Sequence, residues 1–207
     1  MPLSDEQVQS LADSASVGAI AYQAIGLLRE LDEWRNAVES GARPGPRIYR
    51  AGPMVNGKAF NEFQIAVEDE QQARGSVRAL QKAGVDFIKV HAAISGAAYR
   101  GVKAEADRLG IGFAGHIPRA VSPEEASNAG QVTMEHVQAF VDRFSRLMPP
   151  DDVAQFLTRF RRDEAPRLFD LFAKNGNWFT PTLNTTKAII TKPPKRARLR
   201  RFMGLAF

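Results

Sequence analysis

The 207-residue sequence contains no cysteine. That removes disulfide cross-links and thiolate metal sites from consideration and leaves the redox compartment open. No apolar run approaches the ~18 residues that cross a bilayer. The start, Met1-Pro-Leu-Ser-Asp-Glu6, has neither the basic residues nor the apolar stretch of a signal peptide. Histidine is scarce, with three residues and none before His91. Acidic side chains are missing after Asp170, where eight of the 28 basic residues lie; the remaining 20 face all 23 acidic ones, a net of −3. The overall +5 therefore belongs to a tail, Lys192-Pro-Pro-Lys-Arg-Ala-Arg-Leu-Arg-Arg201. With only Phe202 as an aromatic companion, that tail reads as a solvated or truncated barrel segment, not a nucleic-acid surface. The expected partner is a small-molecule substrate, with no nucleic acid and no membrane. A homo-oligomer is allowed, and the expected location is the cytoplasm.

What is present is rhythmic. The length suits one filled core, and 44% apolar with 25% charged residues is ordinary for a globular chain. Ser4 to Gln7 forms a capping box. Val17 to Ile25 is a short apolar run, expected as a buried strand, and Leu27, Leu28, Leu31, Trp34 and Val38 recur at helical spacing before Gly41. A Gly/Pro loop, 41–46, precedes an expected strand over Arg47–Ala51. From about Glu68 a helix runs to Gly84, followed by a strand over 85–90. Ser95 opens a helix that stops at Gly110, followed by a strand over 111–116. Ser122-Pro-Glu-Glu125 opens a third that stops at Gly130, followed by a strand over 131–136. Two helices over roughly 150–175 stop at Gly176 and lead into 177–182. Repeated helix–glycine–strand units predict an α/β fold with about six parallel strands and helical crossovers, an incomplete β/α barrel of the TIM type. The domain reading is 1–185 for this barrel part and 186–207 for the basic tail.

Three of those strands end in residues that can bind a metal. Lys89, His116 and His136 occupy equivalent points of successive units, and C-terminal strand ends converge on one mouth in such folds. Neutral imidazoles suit zinc and similar divalent ions. Lys89 interrupts an apolar strand, where burial lowers the pKa of an amine and makes it nucleophilic. It could take up carbon dioxide and become a carbamate ligand, or form a Schiff base with a carbonyl substrate. The two histidines favour the carbamate. His91, two residues past Lys89, is a candidate catalytic or substrate-contact residue. Arg119, on the loop after His116, is a candidate for binding an anionic substrate group. Glu135 alternates with His136 and is expected to point away from the interior.

These stretches together resemble the amidohydrolase superfamily, in its imidazolonepropionase-like and prolidase-like branch, over roughly residues 15–185. The resemblance is carried by Gly45-Pro-Arg-Ile-Tyr-Arg-Ala-Gly-Pro53, Ala83-Gly-Val-Asp-Phe-Ile-Lys-Val90, Gly115-His-Ile-Pro118, Ser122-Pro-Glu-Glu-Ala126 and Ala129-Gly-Gln-Val-Thr-Met-Glu-His136. It implies a metal-dependent hydrolase in which activated water attacks an amide or cyclic-amide carbon. Lys89, as a carbamate, would match the lysine ligand of the fourth barrel strand, and His116 and His136 the histidine ligands of the fifth and sixth. Zinc is the expected metal. The family's His-x-His pair of strand one and its strand-eight aspartate, the general base, have no counterpart here. The catalytic base is therefore unassigned, and impaired activity is expected from a chain that resembles an internal fragment. Two other readings stand beside this one, a non-catalytic remnant that needs a partner and a Schiff-base lyase using Lys89.

Overall fold

Short polar side chains open three of the helices among the described residues, because each can satisfy a backbone N–H that the first turn leaves unpaired. In the computed structural model, which describes residues 18–61, 63–137, 162 and 164–184, Asp69 accepts from the N–H of Gln72 and opens α2 (Glu70–Lys82). Ser95 accepts from Ala98 and opens α3 (Gly96–Leu109). Ser122 accepts from Glu125 and opens α4 (Pro123–Asn128), with Pro123 in the first turn. Gly110 ends α3 in a left-handed conformation, φ 65°, which glycine adopts at no steric cost. The other helices are α1 (Gly18–Glu39) and α5 (Ala165–Asn175).

Six short strands form one sheet: β1 (Met54–Asn56), β2 (Gln64–Ala66), β3 (Ile88–Val90), β4 (Phe113–His116), β5 (Thr133–Glu135) and β6 (Trp178–Thr180). Every pairing is parallel, in the order β2-β1-β3-β4-β5-β6. Helices link β2 to β3, β3 to β4 and β4 to β5, but residues 57–63 join β1 to β2 without one. The sheet is open, with β2 and β6 at its edges among the described residues.

One face of the sheet carries the core. Val55, Ile88, Val90, Phe113 and Met134 pack against Val77 and Leu80 of α2 and Tyr99, Val102 and Ala106 of α3. The α2–α3 contact also holds a charge cluster. Glu105, 3% exposed at its side chain, meets Arg74 at 3.4 Å, Arg78 at 3.3 Å and Arg108 at 2.5 Å. Hydrogen bonding to Arg108 holds its carboxyl down at about 2, against the cost of burial. The contribution to stability is full above the ordinary glutamate pKa and is lost as pH falls toward 2, since the unfolded chain binds the proton first. Glu105→Gln is expected to destabilise by about 1–2 kcal/mol at pH 7, because the arginines reach into solvent. Chemical denaturation at pH 7 and pH 3 checks it: the gap between variant and wild type should narrow at pH 3.

The structure departs from the sequence-based expectation in the first third of the chain. Residues from 18 onward in the apolar run Val17–Ile25 are helical and continuous with the Leu27–Val38 pattern in α1; a short apolar run does not reveal its period. Arg47–Ala51 is not a strand. The backbone N–H of Arg50 donates to the Asp86 carboxylate at 2.6 Å, and its carbonyl accepts from Asp86 N–H at 2.8 Å, so these groups serve a side-chain clasp instead of a ladder. The Arg50 guanidinium closes the clasp on Asp32 at 2.5 Å and on the Gly84 carbonyl at 2.6 Å. The strands present instead are β1 and β2, three residues each. The Ser4 capping box, most of the helical stretch expected before residue 165 and the tail over 186–207 lie outside the described residues.

Candidate metal centre

Parallel strands deliver their C-terminal ends to one side, and alternation decides which side chains face it. In β3, Ile88 and Val90 are buried against the helices, so Lys89 takes the opposite face. Lys89 pairs with Ala114, and His116, two residues on, shares that face and pairs with Glu135. Lys89, His116 and Glu135 therefore stand together at the end of the sheet.

Glu135 corrects an expectation. It does not point away: its Oε2 accepts from Lys89 Nζ at 2.8 Å and lies 3.8 Å from His136 Nε2. The alternation of β5 runs from Met134, not from His136. Met134 is fully buried on the core side, which turns its neighbour Glu135 inward. His136 lies one step past β5 with φ 68°, a conformation uncommon for a non-glycine residue. That turn breaks the alternation, so both 135 and 136 face the mouth. The apolar Met134 was the signal available in the sequence.

All three histidines of the chain meet here. The rings of His91 and His116 have centroids 4.2 Å apart, and those of His116 and His136 4.4 Å apart. His91 arrives because its N–H continues the ladder, donating to the Val55 carbonyl at 3.0 Å. His136 Nδ1 lies 2.8 Å from Thr182 Oγ1, a contact that orients the ring with Nε2 toward Glu135. Nothing in the sequence marked Thr182. Arg119 is exposed on the loop after β4, its backbone N–H donating to the Ala92 carbonyl at 3.0 Å.

Beneath the mouth lies Gln131, fully buried and also unmarked by the sequence. The two N–H groups of its amide are shared among the carbonyls of Gly115 at 3.0 Å, His116 at 3.2 Å and Thr133 at 3.1 Å, and its oxygen accepts from the Tyr99 hydroxyl at 2.9 Å. One side chain thus ties β4 to β5 where they carry His116 and Glu135. Burial pushes the Tyr99 phenol up, so it stays a donor.

Burial favours the neutral imidazole at His116 and at His91. Burial, then the charges of His91, His136 and Lys89, press the pKa of His116 down to about 3. Burial is also the main cause lowering His91, followed by His136, Lys89 and Arg119, with Glu135 opposing. The Nδ1 atoms of His91 and His116 are buried without a hydrogen-bond partner. Such an atom costs about 1–3 kcal/mol unless something meets it. One ligand atom from each of His116, Glu135 and His136 lies within 4.8 Å of the others. Two neutral imidazoles and a carboxylate form a donor set suited to a divalent cation such as zinc, so the residues present fit one.

Solved structures that share this fold include a bottromycin amidohydrolase and an ochratoxinase. Bottromycin amidohydrolase superposes with a TM-score of 0.50 at 22% identity, over 65% of this chain and 30% of that one. The ochratoxinase of A. niger superposes with a TM-score of 0.54 at 16% identity, over 80% of this chain and 42% of that one. The chain spans less than half the length of either. No protein-family model and no curated protein matches the sequence. At these identities the likeness is one of fold. It bears out the expected architecture, an incomplete parallel β/α barrel, and with it the fold resemblance to amidohydrolases. No helix among the described residues is long and apolar enough to cross a membrane.

Proposed function

We propose that this chain carries the metal-binding part of an amidohydrolase-type hydrolase acting on a carbon–nitrogen bond of an amide or cyclic amide. The observation that supports it best is the convergence of His116, Glu135 and His136 at the C-terminal ends of neighbouring parallel strands. In this reading the cation is divalent, zinc by its donor set, and His116 and His136 bind it as neutral imidazoles. Lys89, as a carbamate, adds an oxygen ligand. A bound divalent cation supplies Lewis acidity, which polarises a carbonyl oxygen and acidifies water.

The chain's own groups divide the remaining work. Thr182 fixes the His136 ring, and Gln131 holds β4 and β5 in register. His91 is the imidazole at the mouth without a ligand role and is the candidate to move a proton. Arg119 is the candidate to meet an anionic end of the substrate. A small-molecule substrate, the absence of nucleic-acid and membrane partners and a cytoplasmic setting belong to the same proposal.

No acidic residue follows Asp170 to serve as the base that the family resemblance places on strand eight. General-base catalysis contributes ~10²–10⁴ in rate. The 207-residue chain is therefore expected to turn over N-acyl amino acids, dipeptides and cyclic amides only feebly with added zinc and bicarbonate. A version extended at both ends is expected to exceed it by at least about 100-fold. Zinc-independent turnover, or trapping of a carbonyl substrate on Lys89 by borohydride, would overturn the hydrolase reading in favour of lyase chemistry.

A further inference from the structure

The Lys89–Glu135 pair bears on how the cation is held. Glu135 lies on the mouth face of β5, opposite His116 in register, with its Oε2 at 2.8 Å from Lys89 Nζ and 3.8 Å from His136 Nε2. The same carboxylate is therefore within reach of a cation between the histidines and of the lysine ammonium. A carboxylate has two oxygens and about four acceptor positions, whereas an ammonium only donates. Lys89 as it stands is a counter-ion to Glu135 and offers no ligand atom. His116, Glu135 and His136, by contrast, already bring three ligand atoms within 4.8 Å of one another.

We infer that Glu135 is a metal ligand in its own right, so that this chain binds a divalent cation through His116, Glu135 and His136 before and without a carbamate on Lys89. The inference rests on the metal-centre reading above and deepens it. It makes Lys89 a competitor of the cation for Glu135 while the lysine is an ammonium, and a ligand only after it has taken up carbon dioxide. The two sources of a third ligand then respond oppositely to mutation. Removing the ammonium frees Glu135 for the cation; removing a carbamate takes a ligand away.

The experiment is a titration of the full 207-residue chain with cobalt(II). The visible absorption of the bound ion is followed in carbon dioxide-free buffer and again with bicarbonate. The expected result is one equivalent bound without bicarbonate, with the intense spectrum of a four-coordinate ion. Glu135→Gln, which keeps shape and loses charge, should weaken binding about tenfold or more. Glu135→Asp should recover part of it. Lys89→Met should bind as tightly as wild type or more tightly. Binding that needs bicarbonate, fails in Lys89→Met and survives in Glu135→Gln would overturn the inference while leaving the metal centre intact. His136→Ala separates the two ideas. Unchanged cobalt binding in that variant, or none by wild type under either condition, would sink the metal-centre reading itself. Far-ultraviolet circular dichroism on each variant confirms that losses come from the site and not from unfolding.

Discussion

His116→Ala is expected to abolish zinc binding, with affinity falling about 100-fold or more in a chelator competition assay. The effect should exceed that at any other position because of where the ring sits. It lies between His91 at 4.2 Å and His136 at 4.4 Å, and its strand position is opposite Glu135. Without it, His136 and Glu135 are adjacent in sequence and approach a cation from one side only. The same substitution has a second consequence, on the metal-free fold. Burial presses the His116 imidazole down to about 3 in the folded chain, well below an ordinary histidine. Below the ordinary histidine pKa the unfolded chain takes up a proton that the folded chain refuses, so wild-type stability falls as pH drops through 6 toward 3. His116→Ala should lack that part of the acid slope. Urea melts of the metal-free proteins between pH 7 and pH 4 should show stability falling less steeply with acid in the variant than in the wild type. A variant that still binds zinc tightly would mean that the cation sits elsewhere.

Gly115→Ala should be the most damaging substitution of a single methyl group. Gly115 has φ 118°, which L side chains rarely adopt, and strain of that kind costs about 1–3 kcal/mol. A Cβ there would also stand 2.4 Å from the Val90 carbonyl oxygen and 3.2 Å from Lys89 Cγ. The oxygen belongs to the neighbouring strand and cannot move without opening the β3–β4 ladder. We expect a loss of about 3 kcal/mol or more, read as a fall in the denaturation midpoint, and a weakened metal site in whatever folds. Gly130 serves as a control. It also has a positive φ, 79°, but no atom lies within 4 Å of its added Cβ. Gly130→Ala should therefore cost only the backbone strain. Equal losses at the two positions would refute the steric argument.

The middle of the chain was legible because its signals are local. Ser95 and Ser122 before helices, Gly110 after one, and apolar strands behind glycines depend on neighbours in sequence, and β3 to β6 fall within the spans expected. The first part was not, for the opposite reason. Strands β1 and β2 are three residues long and bounded by loops, and what makes them strands is their pairing with each other and, for β1, with β3. Arg50 looked like part of a strand until Asp86, 36 residues away, supplied its hydrogen bonds. At the mouth, Lys89, His116 and His136 could be named from spacing. Glu135 was misdirected, because a single left-handed turn at His136 reverses the parity of everything counted backward from it. Gln131 and Thr182 act mainly through contacts 15 to 46 residues away and leave no local pattern.

The reach of Lys89 over β4 has a consequence for how such a centre varies. Lys89 and Glu135 stand on the two strands that flank β4, and their 2.8 Å contact passes Ala114, the β4 residue in register with Lys89. The smallness of Ala114 leaves room for the charges to touch. A larger side chain there is expected to leave every chemically active residue in place and still part the pair. Two homologous chains with identical lysine, histidine and glutamate residues could thus differ in metal affinity through a side chain that binds nothing, and an inventory of ligands alone would judge them the same.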